Sequence, residues 1–431
     1  MGNIIILIFI IGYAFIALEH SFKVNKAASA LITGVLCWVI YIVFMSDKQL
    51  VNDQLTQHLG ELSGILFFLL SAMTIVELID SHDGFNIITD KITQTDKKSL
   101  VWIVGFITFF LSSILDNLTT TIVMISLLRK LIRDDEDRLF FVGTVVIAAN
   151  AGGAWSPIGD VTTTMLWIEG QITAYKIMAK LILPSLVCLI IPLIFISFRL
   201  EGKVERTENN KSTLTKSLPK KEQKIVLFSG VLVLISVPVF KTLTHLPPYM
   251  GILLGLGVLW IITEILHSSK DEEDKRNFSV VQALRKVDTS TILFFLGILI
   301  AISALQSSGI LTNLARFMAS KIGNESIIVI SIGLVSSVID NVPLVAAAQG
   351  MYDLTQYPPD HFFWEFLAYC TGTGGSALII GSAAGIAAMG IEKINFFWYL
   401  KKISWLALIG FFSGAIIYIL QDMIIHLNLG C

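Results

Sequence analysis

Long apolar runs separated by short polar loops make up most of this chain. Ten of the runs approach the roughly 20 residues that a membrane-spanning helix needs, and five fall in each half of the chain. They lie at about residues 3–19, 27–45, 63–80, 139–168, 177–198, 225–240, 249–266, 289–308, 362–389 and 403–425. This pattern predicts an all-α polytopic membrane protein.

A polar motif, Ser-Ser-x-x-Asp-Asn, occurs twice inside two further apolar stretches. It spans residues 112–117 and 336–341, so the two copies are 224 residues apart. Flanking segments repeat in the same order, with 61–69 parallel to 288–296 and 151–154 parallel to 373–376. The chain is therefore expected to be a duplicated fold. Its expected parts are a first repeat at 1–198, a basic linker at 199–224 that serves as a solvated tether, and a second repeat at 225–431.

The apolar arms around each motif are only about 15 residues long, which is short for a span. This favours re-entrant hairpins that enter and leave on one side. With two such hairpins, the loops on one face carry 25 Lys and Arg and those on the other carry 5, whereas single crossings would divide them 12 to 18. The positive-inside rule then places the basic face in the cytoplasm and both termini outside. Five crossings per repeat is an odd number, so we expect two inverted repeats with interrupted helices at the midplane.

Composition narrows the class of protein further. The chain is 54% hydrophobic and 15% charged, against about 25% charged residues in soluble proteins. Its net charge of −2 gives no support for nucleic-acid binding, and no Walker A loop points to ATP. Three of its four cysteines lie in apolar runs, so no disulfide framework is expected. The first apolar run lacks a basic n-region and is interpreted as a span, with a signal peptide as the alternative.

The acids of the two motifs, Asp116 and Asp340, are the strongest functional candidates. An acid in the hydrocarbon layer is costly and is a functional-site hypothesis by default. Burial favours the protonated carboxyl and a bound cation favours the ionised one, so such a group can exchange a proton for a metal ion. The alternative is an acid paired with Lys or Arg for folding alone. Lys180 is the basic residue that the pattern places inside a span.

Neutral oxygens surround these acids in the sequence. Asn117 and Asn341 follow them, and hard cations prefer such oxygen ligands. We therefore expect Na⁺ at Asp116, Asn117, Asp340 and Asn341. Further oxygen candidates are Ser112, Ser113, Thr119, Ser156, Ser336, Ser337, Thr373, Ser376 and Ser382. Capping of half-helices is the alternative role for these side chains.

Two Gly-rich segments, 150–160 and 372–382, should interrupt their helices near the midplane. A kink needed only for packing is the alternative. The copies differ at one position, because Asp160 in the first repeat aligns with Ser382 in the second. Asp160 is therefore a third candidate for a proton or cation site.

Other acids and the histidines give weaker signals. Glu61 and Asp288 are repeat-related and could be either functional or ordinary interfacial carboxylates. Glu77 and Asp80 fit a solvated position at the end of a span. The histidines fall mostly at span ends, where a pH-sensing role is possible but is not the favoured interpretation.

The segment 150–165, the two Asp-Asn motifs and the segment 371–382 together closely resemble the NhaD-type sodium/proton antiporters of the ion transporter superfamily. The resemblance implies exchange of cytoplasmic Na⁺ or Li⁺ for external protons across a bacterial-type inner membrane. It also implies a scaffold-plus-transport-domain architecture, a homodimer and no cofactor. By motif match it assigns roles to Asp116, Asn117, Asn150, Asp160, Thr162, Asp340 and Asn341.

Two other functions remain open at this point. A sodium-coupled anion, dicarboxylate or arsenite permease could use the same fold, but three intramembrane acids would repel an anion unless cations neutralised them. An intramembrane aspartyl protease could use Asp116 and Asp160. It would have no use for the second Asp-Asn motif, and the residues before Asp160 lack the GxGD pattern.

Overall fold

The computed structural model describes residues 1–17, 19, 23–89, 92–205, 219–268 and 270–429, and this part of the chain is predominantly helical. Its helices in chain order are α1 (Gly2–Ala17), α2 (Lys26–Phe44), α3 (Lys48–Ser81), α4 (Asn86–Thr89), α5 (Lys97–Leu115), α6 (Asn117–Leu131), α7 (Asp135–Ala154), α8 (Val161–Ile168), α9 (Ala174–Arg199), α10 (Lys220–Thr244), α11 (Pro248–His267), α12 (Glu272–Asn277), α13 (Val280–Lys286), α14 (Thr289–Ser307), α15 (Ile310–Lys321), α16 (Glu325–Val335), α17 (Asn341–Met351), α18 (Phe362–Gly374), α19 (Ala383–Glu392), α20 (Phe396–Lys402) and α21 (Ser404–Leu429).

Eight helices in the described residues are long and apolar enough to cross a membrane, which confirms a polytopic membrane protein. They are α2, α3, α5, α9, α10, α11, α14 and α21. The apolar runs at 139–168 and 362–389 are each divided between two helices, as the glycine pattern predicts. The first arm of the first motif, α5, has 19 residues and is longer than expected. Asp96 caps its first turn, so Lys97 and Lys98 extend the helix beyond the apolar segment.

The loops that carry most of the basic residues meet at one end of the molecule, which we call the basic end. Lys97 forms an ion pair with Asp137 over 2.6 Å, and Arg138 forms one with Glu392 over 2.9 Å. These contacts join the loops before α5, before α7 and after α19. Further contacts at this end are Lys130 with Asn86, Arg133 with Glu205, Lys286 with Glu77, His82 with His267, and Ser290 with Asn25.

The helices pack in two groups. One contains α1, α2, α3 and α14 together with α10 and α11, and the other contains α5 to α7, α9, α16 and α18 to α21. The short helices α8 and α17 lie between the groups, because α8 contacts α3 and α18 while α17 contacts α14 and α18. Both of these short helices begin beside a candidate acid.

Glycines allow the same close helix crossing in each half. A Cβ on Gly152 of α7 would lie 2.1 Å from the Phe109 carbonyl oxygen of α5. A Cβ on Gly374 of α18 would lie 2.1 Å from the Gly333 carbonyl oxygen of α16. Only a residue without a side chain permits this backbone approach. The two halves therefore repeat not only their sequence but also this contact.

Candidate cation and proton site

The first Asp-Asn motif forms a sharp break between α5 and α6. Asp116 has φ of 92°, a conformation that non-glycine residues rarely adopt, and it separates Leu115 from Asn117. Its carboxylate accepts hydrogen bonds from the Thr119 amide and the Thr119 hydroxyl, both over 2.8 Å. Asp116 therefore caps α6 while its side chain stays partly exposed. Strained backbone of this kind is concentrated at functional sites.

The second motif breaks its helix differently. Here α16 ends at Val335, a short turn follows, and Asp340 precedes α17 with φ of −46°. The Asp340 amide donates to the Tyr13 hydroxyl of α1 over 3.0 Å. The Asp340 carboxylate accepts from the Val342 amide over 3.4 Å. The same six-residue motif thus adopts two local structures because different helices pack against it.

The broken helices place Asp160 and Ser382 in matching positions. Asp160 lies at the start of α8 and accepts from the Thr162 amide and the Thr162 hydroxyl, both over 2.9 Å. Ser382 lies at the start of α19 and accepts from the Gly385 amide over 3.2 Å. Asp160 is only 1% exposed. Both residues are N-caps, but only the one in the first half can carry a charge.

One hydrogen-bonded network joins the two halves at Asp160. The side-chain amide of Asn117, Nδ2, donates to Asp160 Oδ2 over 2.6 Å and to Asn150 Oδ1 over 3.0 Å. The side-chain amide of Asn341 donates to both Asp160 carboxylate oxygens over 3.3 Å. The side-chain amide of Asn150 in turn donates to the Ser376 and Ser382 hydroxyls, each over 2.9 Å. The buried carboxylate is therefore held by one asparagine from each motif, and no ion pair in the described residues involves it.

Asp116 and Asp160 share a cavity of about 50 Å³, which also exposes Asn117 and Thr164. This is room for a small ion or a few water molecules. A wider cavity of about 450 Å³, which we call the vestibule, opens beside it among residues of the basic end. The polar residues that line the vestibule include Thr119, the acids Glu77, Asp80 and Asp288, and the lysines Lys26 and Lys286. The two cavities have lining residues in common: Met73, Leu118, Thr291 and Ala383.

Asp340 lines a different cavity, also of about 50 Å³, with Tyr13, Glu19 and Lys26. The structure therefore does not bring Asp116, Asn117, Asp340 and Asn341 around one space, although both asparagines reach Asp160. Sequence reasoning missed Lys26 and Tyr13. Lys26 stands one residue before an apolar run, where an interfacial lysine is the ordinary interpretation, and no sequence signal marks its approach to Asp340.

Most of the secondary candidates have local structural roles. Some carry hydroxyls that donate to backbone carbonyl oxygens and so stabilise helix ends and crossings: Ser112, Ser113, Ser336, Ser337 and Thr373. Others accept hydrogen bonds from nearby residues. Asp288 caps α14, with its carboxylate accepting from the Thr291 amide and hydroxyl. Ser156 accepts from the Ile158 amide over 3.4 Å.

Glu61 differs from its repeat partner Asp288. The sequence pattern places it at the start of a span, but α3 begins at Lys48 and Glu61 lies well inside that helix, half-exposed beside His58. The Asp47 cap and a polar first segment extend α3 beyond its apolar portion. Lys180 pairs with Glu365 over 2.9 Å and not with an acid of either motif.

Comparisons with known proteins agree on the class of this chain. Residues 6–372 match the family model described as "Citrate transporter", CitMHS. The chain is 51% identical over 413 residues to "Sodium/proton antiporter 1" of Arabidopsis thaliana, covering 96% of this chain and 71% of that relative. It is 48% identical to "Sodium/proton antiporter 2" of the same plant, covering 96% and 98%. It is 29% identical to "Na(+)/H(+) antiporter NhaD" of Alkalimonas amylolytica, covering 93% and 87%.

The fold and these matches define an integral-membrane transporter and not an enzyme. Within that class, the chain belongs to the family that the CitMHS model describes, and its relatives make it an NhaD-type sodium/proton antiporter. Sodium ions and protons are accordingly substrates and not cofactors.

Proposed function

We propose that this protein exchanges cytoplasmic Na⁺ or Li⁺ for external protons by alternating access, with Asp160 and Asp116 as the carboxylates that bind the ions in turn. The observation that carries the proposal is the buried Asp160, which accepts amide hydrogen bonds from Asn117 and Asn341. A carboxylate that accepts from two side-chain amides keeps lone pairs with which it can take a proton or a cation.

The orientation is part of the proposal. The basic end carries the loops rich in Lys and Arg, and the positive-inside rule assigns it to the cytoplasm. The vestibule beside the Asp116–Asp160 cavity then opens toward the cytoplasm, from which the transported Na⁺ would enter. External termini follow from the same assignment, and the bacterial-type inner membrane stays a prediction from the resemblance.

Two inverted repeats with re-entrant hairpins account for the observed contacts. Both flanks of the first motif reach the basic end, where Lys97 pairs with Asp137. The matching glycine crossings at Gly152 and Gly374 support a duplicated structural unit. In this proposal the repeats have opposite orientations, so the two motifs enter from opposite sides of the membrane. The homodimer stays a prediction from the resemblance.

Citrate or another carboxylate is the alternative substrate, because the matching family model is described as a citrate transporter. The lining of the Asp116–Asp160 cavity argues against it. Within the residues that the structure describes, that lining includes two acids and no Lys, Arg or His. A carboxylate substrate would need positive charge there to offset its own.

Purified protein in proteoliposomes with a trapped pH-sensitive dye tests the proposal. Na⁺, Li⁺, K⁺ and citrate are added in separate experiments, with empty liposomes as the control. Proton flux that depends on Na⁺ or Li⁺ and is indifferent to citrate is the expected result. Citrate uptake without cation-dependent proton flux would overturn the proposal.

A further inference from the structure

The two repeat-related acids face different charges. Asp116 lines a cavity that contains a second acid, Asp160, and that no basic side chain in the described part of the chain lines. Asp340 lines a cavity that contains Lys26 and a second acid, Glu19, with the Tyr13 hydroxyl as the other polar group. The duplicated sequence therefore surrounds two electrostatically different sites.

Lys26 lies between the vestibule and Asp340. Its side chain lines the 450 Å³ vestibule and also the small cavity that contains Asp340. Its ammonium group stands 4.5 Å from the centre of the Phe294 ring, a cation–π contact that holds it in this place. Its backbone amide donates to Glu19 Oε1 over 3.2 Å, which fixes the start of α2.

Charge balance gives Lys26 its role. Asp340 is 9% exposed, and an ionised carboxylate that is so little hydrated requires a nearby positive charge. Lys26 lines the same cavity, without a direct ion pair to Asp340 in the described residues, and supplies this charge permanently because it is part of the chain. Among the described residues, none that lines the Asp116 cavity is basic, so the charge of Asp116 is available to an ion that enters from the vestibule.

We propose that Lys26 is a tethered counter-charge for Asp340, so that each chain binds one Na⁺, in the Asp116–Asp160 cavity, and not one at each Asp-Asn motif. This inference rests on the proposed function and replaces the four-residue Na⁺ site that the sequence suggests. Lys26 is in this view a specificity-determining residue: it makes two duplicated sites inequivalent.

Na⁺ binding to the purified chain in detergent, measured with radioactive Na⁺ at equilibrium, tests the stoichiometry. The parent chain should bind one Na⁺, and Lys26→Gln should bind a second, because the Asp340 carboxylate loses its counter-charge. Lys26→Arg should stay at one. Adding Asp340→Asn to Lys26→Gln should return the number to one. Two Na⁺ per parent chain, or one in a folded Lys26→Gln variant, would overturn the inference.

If Lys26→Gln does not fold, Na⁺ binding to the single variant Asp340→Asn tests the same inference. Because Asp340 is not a Na⁺ ligand in this proposal, the variant should still bind one Na⁺, and loss of binding by the folded variant would contradict it. Asp160→Asn separates this inference from the proposed function. If Asp160→Asn binds Na⁺ as the parent does, the proposed site is wrong, whatever the Lys26 variants show.

Discussion

Asn117 donates to the Asp160 carboxylate over 2.6 Å, across 43 residues of sequence. The bond joins the break between α5 and α6 to the start of α8. It is much shorter than the bonds of 3.3 Å that Asn341 makes to the same carboxylate from the other half. Because the shorter charge-assisted bond is the stronger one, the first half holds Asp160 more firmly than the second.

This difference predicts unequal effects of two matched substitutions. Asn117→Ala should weaken apparent Na⁺ affinity more than Asn341→Ala, because it removes the shorter bond to the carboxylate and also the bond to Asn150. A hydrogen bond to a charged group contributes about 1.5–3 kcal/mol, so the loss for Asn117→Ala should be roughly 10- to 100-fold. Na⁺ titrations of proton flux in proteoliposomes measure both variants. Equal losses would show that the difference in bond length has no energetic consequence.

The Asp160–Ser382 difference predicts where coupling is lost. Asp160→Ser should keep α8 capped, because Ser382 already caps α19 in the matching position. It should nevertheless abolish Na⁺-driven proton movement, because the charge that exchanges the ions is gone. Ser382→Ala is the matched control and should mainly change affinity. The measurement is proton movement under an imposed membrane potential, and a parent-like rate and voltage response in Asp160→Ser would assign Asp160 a purely structural role.

The glycine crossings predict a pair of folding defects. Gly152→Ala and Gly374→Ala each place a methyl group 2.1 Å from a backbone oxygen, so the helices must separate. Overpacking of this kind typically costs about 1–3 kcal/mol. Both variants should show a lower melting temperature and less monodisperse protein in size-exclusion chromatography. Gly257→Ala is the control, since nothing lies within 4 Å of its added Cβ. Parent-like melting of either crossing variant would mean that the crossing can relax.

A buried histidine contact at the basic end predicts acid sensitivity. His82 Nδ1 lies 2.7 Å from the Leu78 carbonyl oxygen, which can only accept, so Nδ1 carries the proton. In neutral His82 the other nitrogen, Nε2, then accepts from His267 Nε2 over 2.9 Å. Burial lowers the pKa of His82, and nearby Lys270 lowers it further, against the opposing effects of the Leu78 hydrogen bond and of Glu222 and Asp83.

Because the folded state lowers this pKa, the unfolded chain binds the proton more readily. The free energy of unfolding should therefore fall as the pH drops below about 6.5, the ordinary value for histidine. Melting temperatures measured from pH 8 to pH 5 should decline more steeply in the parent than in His82→Gln. Parallel curves would mean that His82 protonation is not linked to folding.

The class of protein could be predicted from the sequence alone, and the repeated motif predicts a duplicated fold. Apolar runs of spanning length, a charged fraction too small for a soluble protein and two copies of one motif are local features, and they follow from what a bilayer requires of a chain. The interruptions at 150–160 and 372–382 were equally predictable, since each segment concentrates several glycines, and the first also a proline, within one apolar run. The difference between Asp160 and Ser382 is visible in the alignment of the two halves.

Which oxygens meet depends on how the helices pack in three dimensions. The sequence presents Asp116 and Asp340 as equals, but α1 and α2 pack beside only one of them and bring Tyr13 and Lys26 to Asp340. It likewise gives no sign that Asn117 and Asn341 both turn toward Asp160. The strength of an interaction between polar groups depends on their separation in space and on the medium around them. The number of residues between two groups in the sequence determines neither of these.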